Sequence, residues 1–295
     1  MPTPPLSREL AQEALNLFEK HGRSFKIAAS HSGLSDMGFR RRVDAAHRYR
    51  LDPEIAKELP TLSGKGLRVL AIPDLHAPFQ HPDALDFLKA VRDQFTPQRI
   101  VCLGDELDQH AISQHDPDPD GYSAGHELNV GLEFMQELYK IFPVCAVVES
   151  NHGVRPFKRA YRAGLPKAYL KDYHDFMSAP KGWYWQHKVE IDGVVYIHGE
   201  GYLGKDAAMN CAKDNMKPVV IGHVHGFAGV QYFNNGEKQI WGMNAGCLID
   251  SDSYAMKYAK HHRSKAVLGV GLIDKGVPLY FPMRLDDKKR WTGQI

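Results

Sequence analysis

Asp74 and His76 follow the apolar run Val69, Leu70, Ala71 and Ile72, and two residues apart on an extended chain they point the same way. One carboxylate and one imidazole side by side suit a metal ion. The same residue types recur after later apolar runs: Gly104, Asp105 and Asp108 in CLGDELD, Asn151 and His152 in VESNHG, His198 in YIHGEG, and His223 and His225 in IGHVHG. A lone strand-end Asp or buried His is usually structural, whereas five such sites in series predict convergence on one centre. Oxygen and imidazole donors without a thiolate suit Mn²⁺, Fe or Zn²⁺, with Ni²⁺ also admissible, in a hydrolytic centre. Two ions about 3.5–4 Å apart need one carboxylate placed to bridge them, and Asp105 is the natural bridge.

The elements that must deliver these side chains are legible as alternation. From residue 67 onward the strand-like runs are LRVLAI, RIVCL, VCAVVES, VVYIHG, PVVIGH, IWGMNAG, AVLGVGLI and PLYFPM. Between them DALDFLKAVRDQF, ELNVGLEFMQELYKIF and GKDAAMNCAKDN carry helical spacing. This predicts an α/β layered domain over 67–295 with polar residues at strand ends. Residues 1–55 read as helical, with stripes at Leu10, Ala14, Leu17 and Phe18 and at Phe39, Val43 and Ala46. IAASHSGLSDMGFRRRV is similar to a helix-turn-helix: Ala28 and Ala29 at a helix crossing, Gly33 in the turn, Ser35 as a cap, then a candidate recognition helix. Residues 20–50 hold eight Lys and Arg against Asp36 and Asp44. Arg40, Arg41 and Arg42 are therefore candidate DNA contacts, and the competing expectation is a helical cap with a solvated basic face. Two prolines and two glycines in LDPEIAKELPTLSGKG predict a linker over 56–66.

Composition bounds the rest. The 295 residues are 43% hydrophobic and 24% charged with a net charge of +2, so any attraction to nucleic acid must be local. No stretch approaches the roughly 20 apolar residues of a membrane span, and MPTPPLSREL lacks the apolar core of a signal peptide. A cytoplasmic location is expected. Cys102, Cys145, Cys211 and Cys247 are far apart and read as reduced core residues.

The ordered pattern DxH, GDxxD, NH, H, GHxH closely resembles the calcineurin-like metallophosphoesterase superfamily over roughly residues 67 to 285. The overall layout is also similar to phosphoesterases encoded by bacteriophages, which implies the host cytoplasm as the location. The resemblance implies a two-sheet α/β sandwich flanked by helices, with a dinuclear centre at the sheet edges. It implies that Asp74, His76, Asp105 and His225 hold one ion and that Asp105, Asn151, His198 and His223 hold the other. A hydroxide between the ions would attack phosphorus in line. His152 would stabilise the transition state or protonate the leaving oxygen, with Asp108 orienting its imidazole.

Two positions depart from the pattern: Gln109 and Gly153 stand where many members carry Arg and an acidic residue. The absent arginine removes a bidentate clamp for a terminal phosphate dianion and leaves a diester reading open. In GVRPFKRAYRAG, Arg155, Lys158, Arg159 and Arg162 are candidate phosphate-backbone contacts, the alternative being a solvated basic helix. DPDPDGYSAGHE places Asp116, Asp118, Asp120, Gly121 and Glu127 at calcium-loop offsets, but Pro117, Pro119 and Ser123 break the pattern and favour a capped turn into the following helix. The first expectation is thus a phosphodiesterase or nuclease with two divalent ions, acting on a phosphate ester of nucleic acid. Its rivals are a phosphomonoesterase or small-nucleotide hydrolase with a helical cap, and a DNA-binding regulator with a silent phosphoesterase domain.

Overall fold

RELAQEALNLFEK forms α1 (Arg8–Lys20), and the next short helix, α2 (Phe25–Ser32), crosses it at Ala28 and Ala29. The computed structural model describes residues 8–21, 25–35, 38–40, 42–43, 66–114, 118–253 and 265–295. The inner face of α1 is Ala11, Ala14 and Leu15, with Leu17 and Phe18 partly buried beside them, while Leu10 is 38% exposed. The expected stripe is therefore shifted by one position, because close approach to the alanines of α2 selects small residues. Gly33 turns the chain at φ 69°, and Ser35 accepts at Oγ from Gly38 N (3.1 Å) ahead of a third helical stretch whose Phe39 and Val43 are buried. Arg41 and Ala46 lie outside the described residues, while Arg40 is exposed and Arg42 half-buried. Residues 1–61 make up one compact unit and residues 62–295 a second.

In the second unit β1 (Arg68–Ile72) shows how the sheets are built. Val69 and Ala71 enter one apolar cluster and Leu70 and Ile72 another, so both faces are covered and the strand reads as an unbroken apolar run. It is joined in a mixed sheet by β2 (Arg99–Cys102), β3 (Cys145–Val148), β4 (Trp183–Gln186), β10 (Gly269–Asp274) and β11 (Val277–Pro282), in the order β11-β10-β1-β2-β3-β4. Strands β1 to β4 are parallel, and β10 runs antiparallel to β1. The second sheet contains β5 (Val189–Ile191), β6 (Val194–Ile197), β7 (Val219–Ile221), β8 (Gly229–Asn234) and β9 (Gln239–Asn244), in the order β5-β6-β7-β9-β8. Here β6, β7 and β9 are parallel.

The two sheets face each other across Val69, Ala71, Val101, Leu103, Tyr196, Val220 and Met243. The outer face of the first sheet is covered by α3 (Ala84–Phe95) and α4 (Ala124–Ile141) through Phe87, Leu88, Met135 and Leu138. After β3 come α5 (Arg155–Arg162) and the single turn α6 (Tyr173–Phe176); α7 (Ala207–Asn215) then covers the second sheet with Ala208, Cys211 and Ala212. The result is a two-sheet sandwich flanked by helices, as expected. The strands β4, β5 and β8 were not anticipated. All four cysteines are buried free thiols, and no described helix is long and apolar enough to cross a membrane.

Candidate metal centre

Five parallel strands, β1, β2, β3, β6 and β7, end on one rim, and the residues that follow each supply a polar side chain. This is where α/β sheets gather reactive groups, outside the carboxyl ends of the strands. The turns are tight. His76, Asp105 and His223 adopt left-handed backbone at φ 52°, 49° and 64°, a conformation that non-glycine residues keep only when surrounding contacts enforce it. Those contacts are present: His76 N donates to Asp105 O (2.8 Å), Asp105 N to Ser150 Oγ (2.9 Å), and His223 N to Asp74 Oδ2 (2.7 Å). A Cβ at Gly222 would collide with Asp74 Oδ1, so only glycine lets β7 end beside that carboxylate.

The side chains converge as three overlapping groups, one of them His76, Asp108 and His152. Asp74, His76, Asp105 and His225 offer atoms all within 4.8 Å of one another, and Asp105, His198 and His223 do the same. Asp105 belongs to both, its Oδ2 lying 3.4 Å from His76 Nε2 and 3.4 Å from His198 Nε2. Asn151 Oδ1 sits 2.6 Å from His198 Nε2, so every residue expected to hold an ion lies at this rim. The donors also fit cations chemically. Asp74 Oδ1 is buried without a hydrogen-bond partner among the described residues. Imidazole nitrogens face each other at 3.3 Å (His76 Nε2 and His225 Nε2) and 3.2 Å (His198 Nε2 and His223 Nδ1). Facing nitrogens repel unless a proton or a cation lies between them.

A second layer fixes which nitrogen each ring presents. His198 Nδ1 meets Leu103 O at 2.9 Å and His76 Nδ1 meets Asp108 Oδ2 at 2.9 Å, leaving Nε2 of both rings for a cation. The electrostatics match. Burial alone would raise the Asp105 carboxyl, but the imidazoles of His152, His198 and His76 hold it well below the usual range. Burial opposes charge on His198, yet Asp105 and Asp74 push its pKa up to about 10. Imidazolium protons thus balance carboxylates at the place a cation would take over.

His152 is held by Asp108 through the backbone: its Nδ1 meets the Asp108 carbonyl at 2.6 Å, while Oδ1 of the same residue lies 3.8 Å from that nitrogen and Oδ2 lies 2.9 Å from His76 Nδ1. Asp108 N donates to Ala77 O (3.0 Å), which fixes this residue beside the turn after β1. His152 Nε2 lies 3.0 Å from Arg155 Nη2. A guanidinium only donates, so Nε2 accepts and Nδ1 carries the proton. Burial accordingly lowers the His152 pKa to about 4.

The basic helix α5 uses its arginines within the fold. Arg155 donates to Asp108 O (2.7 Å) and Gln109 O (3.3 Å), Arg159 to Ile112 O (2.9 Å) and to Ser113 O, and Arg162 to Gln114 Oε1 (3.2 Å). Spaced at i, i+4 and i+7, these three lie on one helix face and fasten the 108–114 segment beneath the centre. Residues missed from sequence complete the frame: Ser150, whose Oγ also accepts from Gly153 N (3.2 Å), and Gln109, whose Nε2 donates to His152 O (3.0 Å). Only the position of Ser150, immediately before Asn151, hinted at a role. In the calcium-like stretch Asp116 lies outside the described residues. Ser123 caps α4, and Glu127 accepts from His110 N (2.5 Å) and Ala111 N (2.8 Å), so that carboxylate is committed to the 3-10 turn at His110–Ile112.

No family model and no curated protein matches the sequence. Among solved structures the chain is similar to vacuolar protein sorting 29 from Cryptosporidium parvum, at 14% identity over 74% of this chain and 97% of that one with a TM-score of 0.37. It is similar to YfcE, a phosphoesterase from E. coli, at 15% identity over 78% and 98% with a TM-score of 0.39. A third is the nuclease MPE of Pseudomonas putida, at 12% identity over 72% and 86% with a TM-score of 0.27.

Proposed function

We propose that this chain is a metal-dependent phosphoesterase of the calcineurin-like kind, holding two divalent ions and cleaving phosphodiesters of nucleic acid. The observation that carries the reading is Asp105, a buried carboxylate shared by two groups of Asp and His donors. Bound there, two ions supply Lewis-acid activation of water and neutralise charge on phosphoryl oxygens. The mixed oxygen and imidazole donors admit Mn²⁺, Fe, Zn²⁺ or Ni²⁺, and Mn²⁺ is the ion proposed here.

The protein's own residues do the rest. Asp74, His76 and His225 form one side of the site and Asn151, His198 and His223 the other, with Asp105 between. Arg155 stands with a guanidinium against His152 Nε2, so an incoming phosphoryl oxygen meets a fixed cation at the edge of the centre. His152, held through Asp108 O, keeps the Arg155 guanidinium in place at the same edge; to give a proton to the leaving oxygen its Nε2 would first have to part from Arg155 and be protonated. The N-terminal helices, with Arg40, Arg41 and Arg42, bring the enzyme to DNA.

Side-by-side hydrolysis of a chromogenic phosphomonoester, a chromogenic phosphodiester, and single- and double-stranded DNA, with added Mn²⁺, tests this reading. Diester and DNA cleavage abolished by chelator supports it. Hydrolysis of the monoester alone would replace it with a phosphomonoesterase.

A further inference from the structure

Arg155, Arg159 and Arg162 are tied to the 108–114 segment, which leaves the neighbouring outer face of α5 unexplained. Lys158 and Tyr161 are three residues apart on that face, with Leu165 a turn beyond, and all three are exposed, Tyr161 to 82%. The chain then turns through a 3-10 helix (Lys167–Tyr169) that packs against α5 and presents Tyr169, 77% exposed, followed by exposed Lys171. Two tyrosines so far out of the core contribute almost nothing to folding. Residues 151–171 contain six Lys and Arg and no Asp or Glu, so the segment presents an unbroken positive field to any polyanion.

We infer that this outer face is a track for single-stranded nucleic acid, with Tyr161 and Tyr169 stacking on bases and Lys158 and Lys171 meeting phosphates. The inference rests on the phosphoesterase reading and names the form of its substrate. Interleaved exposed aromatics and cations are what strands with accessible base faces require, since every base offers a π-face. A duplex keeps those faces stacked inside and gains only from the cations. The placement also serves cleavage. α5 begins three residues after His152, and Tyr161 lies six residues further on, about 9 Å of helical rise. A strand lying along the helix would therefore reach the metals within a few nucleotides.

The test uses the full chain with Mn²⁺ and a labelled, hydrolysis-resistant phosphorothioate oligothymidine, read by fluorescence anisotropy across a salt series. Tyr161→Ala and Tyr169→Ala should each weaken single-strand binding roughly tenfold while leaving duplex binding and hydrolysis of a small chromogenic diester unchanged. Tyr161→Phe, which keeps the ring, should bind like the parent and guards against misfolding. Removing Lys158 and Lys171 together should reduce the slope of log affinity against log salt by about 1.4, at roughly 0.7 per single-strand phosphate. Unchanged single-strand affinity in both Ala variants overturns the track, as does an equal loss on duplex. Loss of binding to anionic lipid vesicles with single-strand affinity intact would assign the face to a membrane surface instead. If the parent protein hydrolyses the small diester but neither binds nor cuts nucleic acid, the substrate class itself is wrong; if it cuts DNA and the tyrosine variants are indistinguishable from it, only the track is.

Discussion

Asp108→Asn tests what the Asp108 carboxylate does for His76. The Asp108 carboxylate meets His76 Nδ1 at 2.9 Å, with both side chains 2% exposed or less. Its backbone carbonyl, untouched by the substitution, keeps His152 and Arg155. The amide retains an acceptor for His76 but loses the charge, and charge roughly doubles such a bond from about 1 kcal/mol. His76 becomes a less basic ligand, and ion affinity at the Asp74 side should fall about 10- to 100-fold, or about 1.4–2.7 kcal/mol. Calorimetric Mn²⁺ titration should show one weakened site and one close to the parent. Because the same carboxylate also lies 3.8 Å from His152 Nδ1 and 3.4 Å from Arg155 Nη1, a double-mutant cycle of Asp108→Asn and His152→Ala on turnover should show coupling. Parental Mn²⁺ affinity would refute the assignment of this carboxylate to His76.

Other outcomes follow from the same geometry. Asp105→Asn removes the shared carboxylate and should empty at least one ion site and abolish hydrolysis, checked by metal content after dialysis and by assay in added Mn²⁺. His152→Ala should keep both ions and slow turnover by roughly 10²–10⁴-fold, with the loss shrinking for esters with good leaving groups if the ring supplies a proton; a uniform loss would assign it to positioning. The bond from the Arg290 guanidinium, with Trp291 N beside it, holds the Asp83 carboxyl down to about 2. A depressed carboxyl stabilises the fold above its unfolded pKa near 4, and that stability is lost as pH falls toward 2. Because the Arg290 side chain is 59% exposed, screening reduces the contribution to about 1 kcal/mol. Urea unfolding of Asp83→Asn should show this deficit at pH 7 and none below pH 2.

Most of the rim was legible because its residues break a simple rule. Asp74, Asp105, His198 and His223 each interrupt an apolar run where a strand would otherwise end in turn residues, and the strands β1, β2, β3, β6 and β7 were visible for the same reason. What escaped is instructive. β4 (WYWQ) and β5 (VEI) are short and sit at sheet edges, and β8 (GVQYFN) is another edge strand with exposed Tyr232 and Phe233, so none shows a sustained period. The second partner of Asp108, His76, was not anticipated, because sequence spacing tells which side chains share a strand end but not which atom of a residue reaches each neighbour. Charge content marked Arg155, Arg159 and Arg162 as a surface feature. Only the register of α5 against the 108–114 segment revealed which acceptors they hold.

That register makes α5 a ruler. Its three arginines meet successive carbonyls and an amide along a segment that must itself stay aligned with His76 and His152. One residue inserted into the helix turns everything downstream by about 100° and carries Arg159 and Arg162 off their acceptors, while Arg155 stays in place. An insertion of seven residues, close to two whole turns, would restore the direction but overshoot the segment by about 10 Å. The stretch from Asn151 to Arg162 should therefore accept changes of residue type on its outer face far more readily than any change of length. Loops elsewhere on the rim, such as the glycine-containing GEGYLGKD after His198, carry no comparable ladder and are the places where the chain can be lengthened without disturbing the centre.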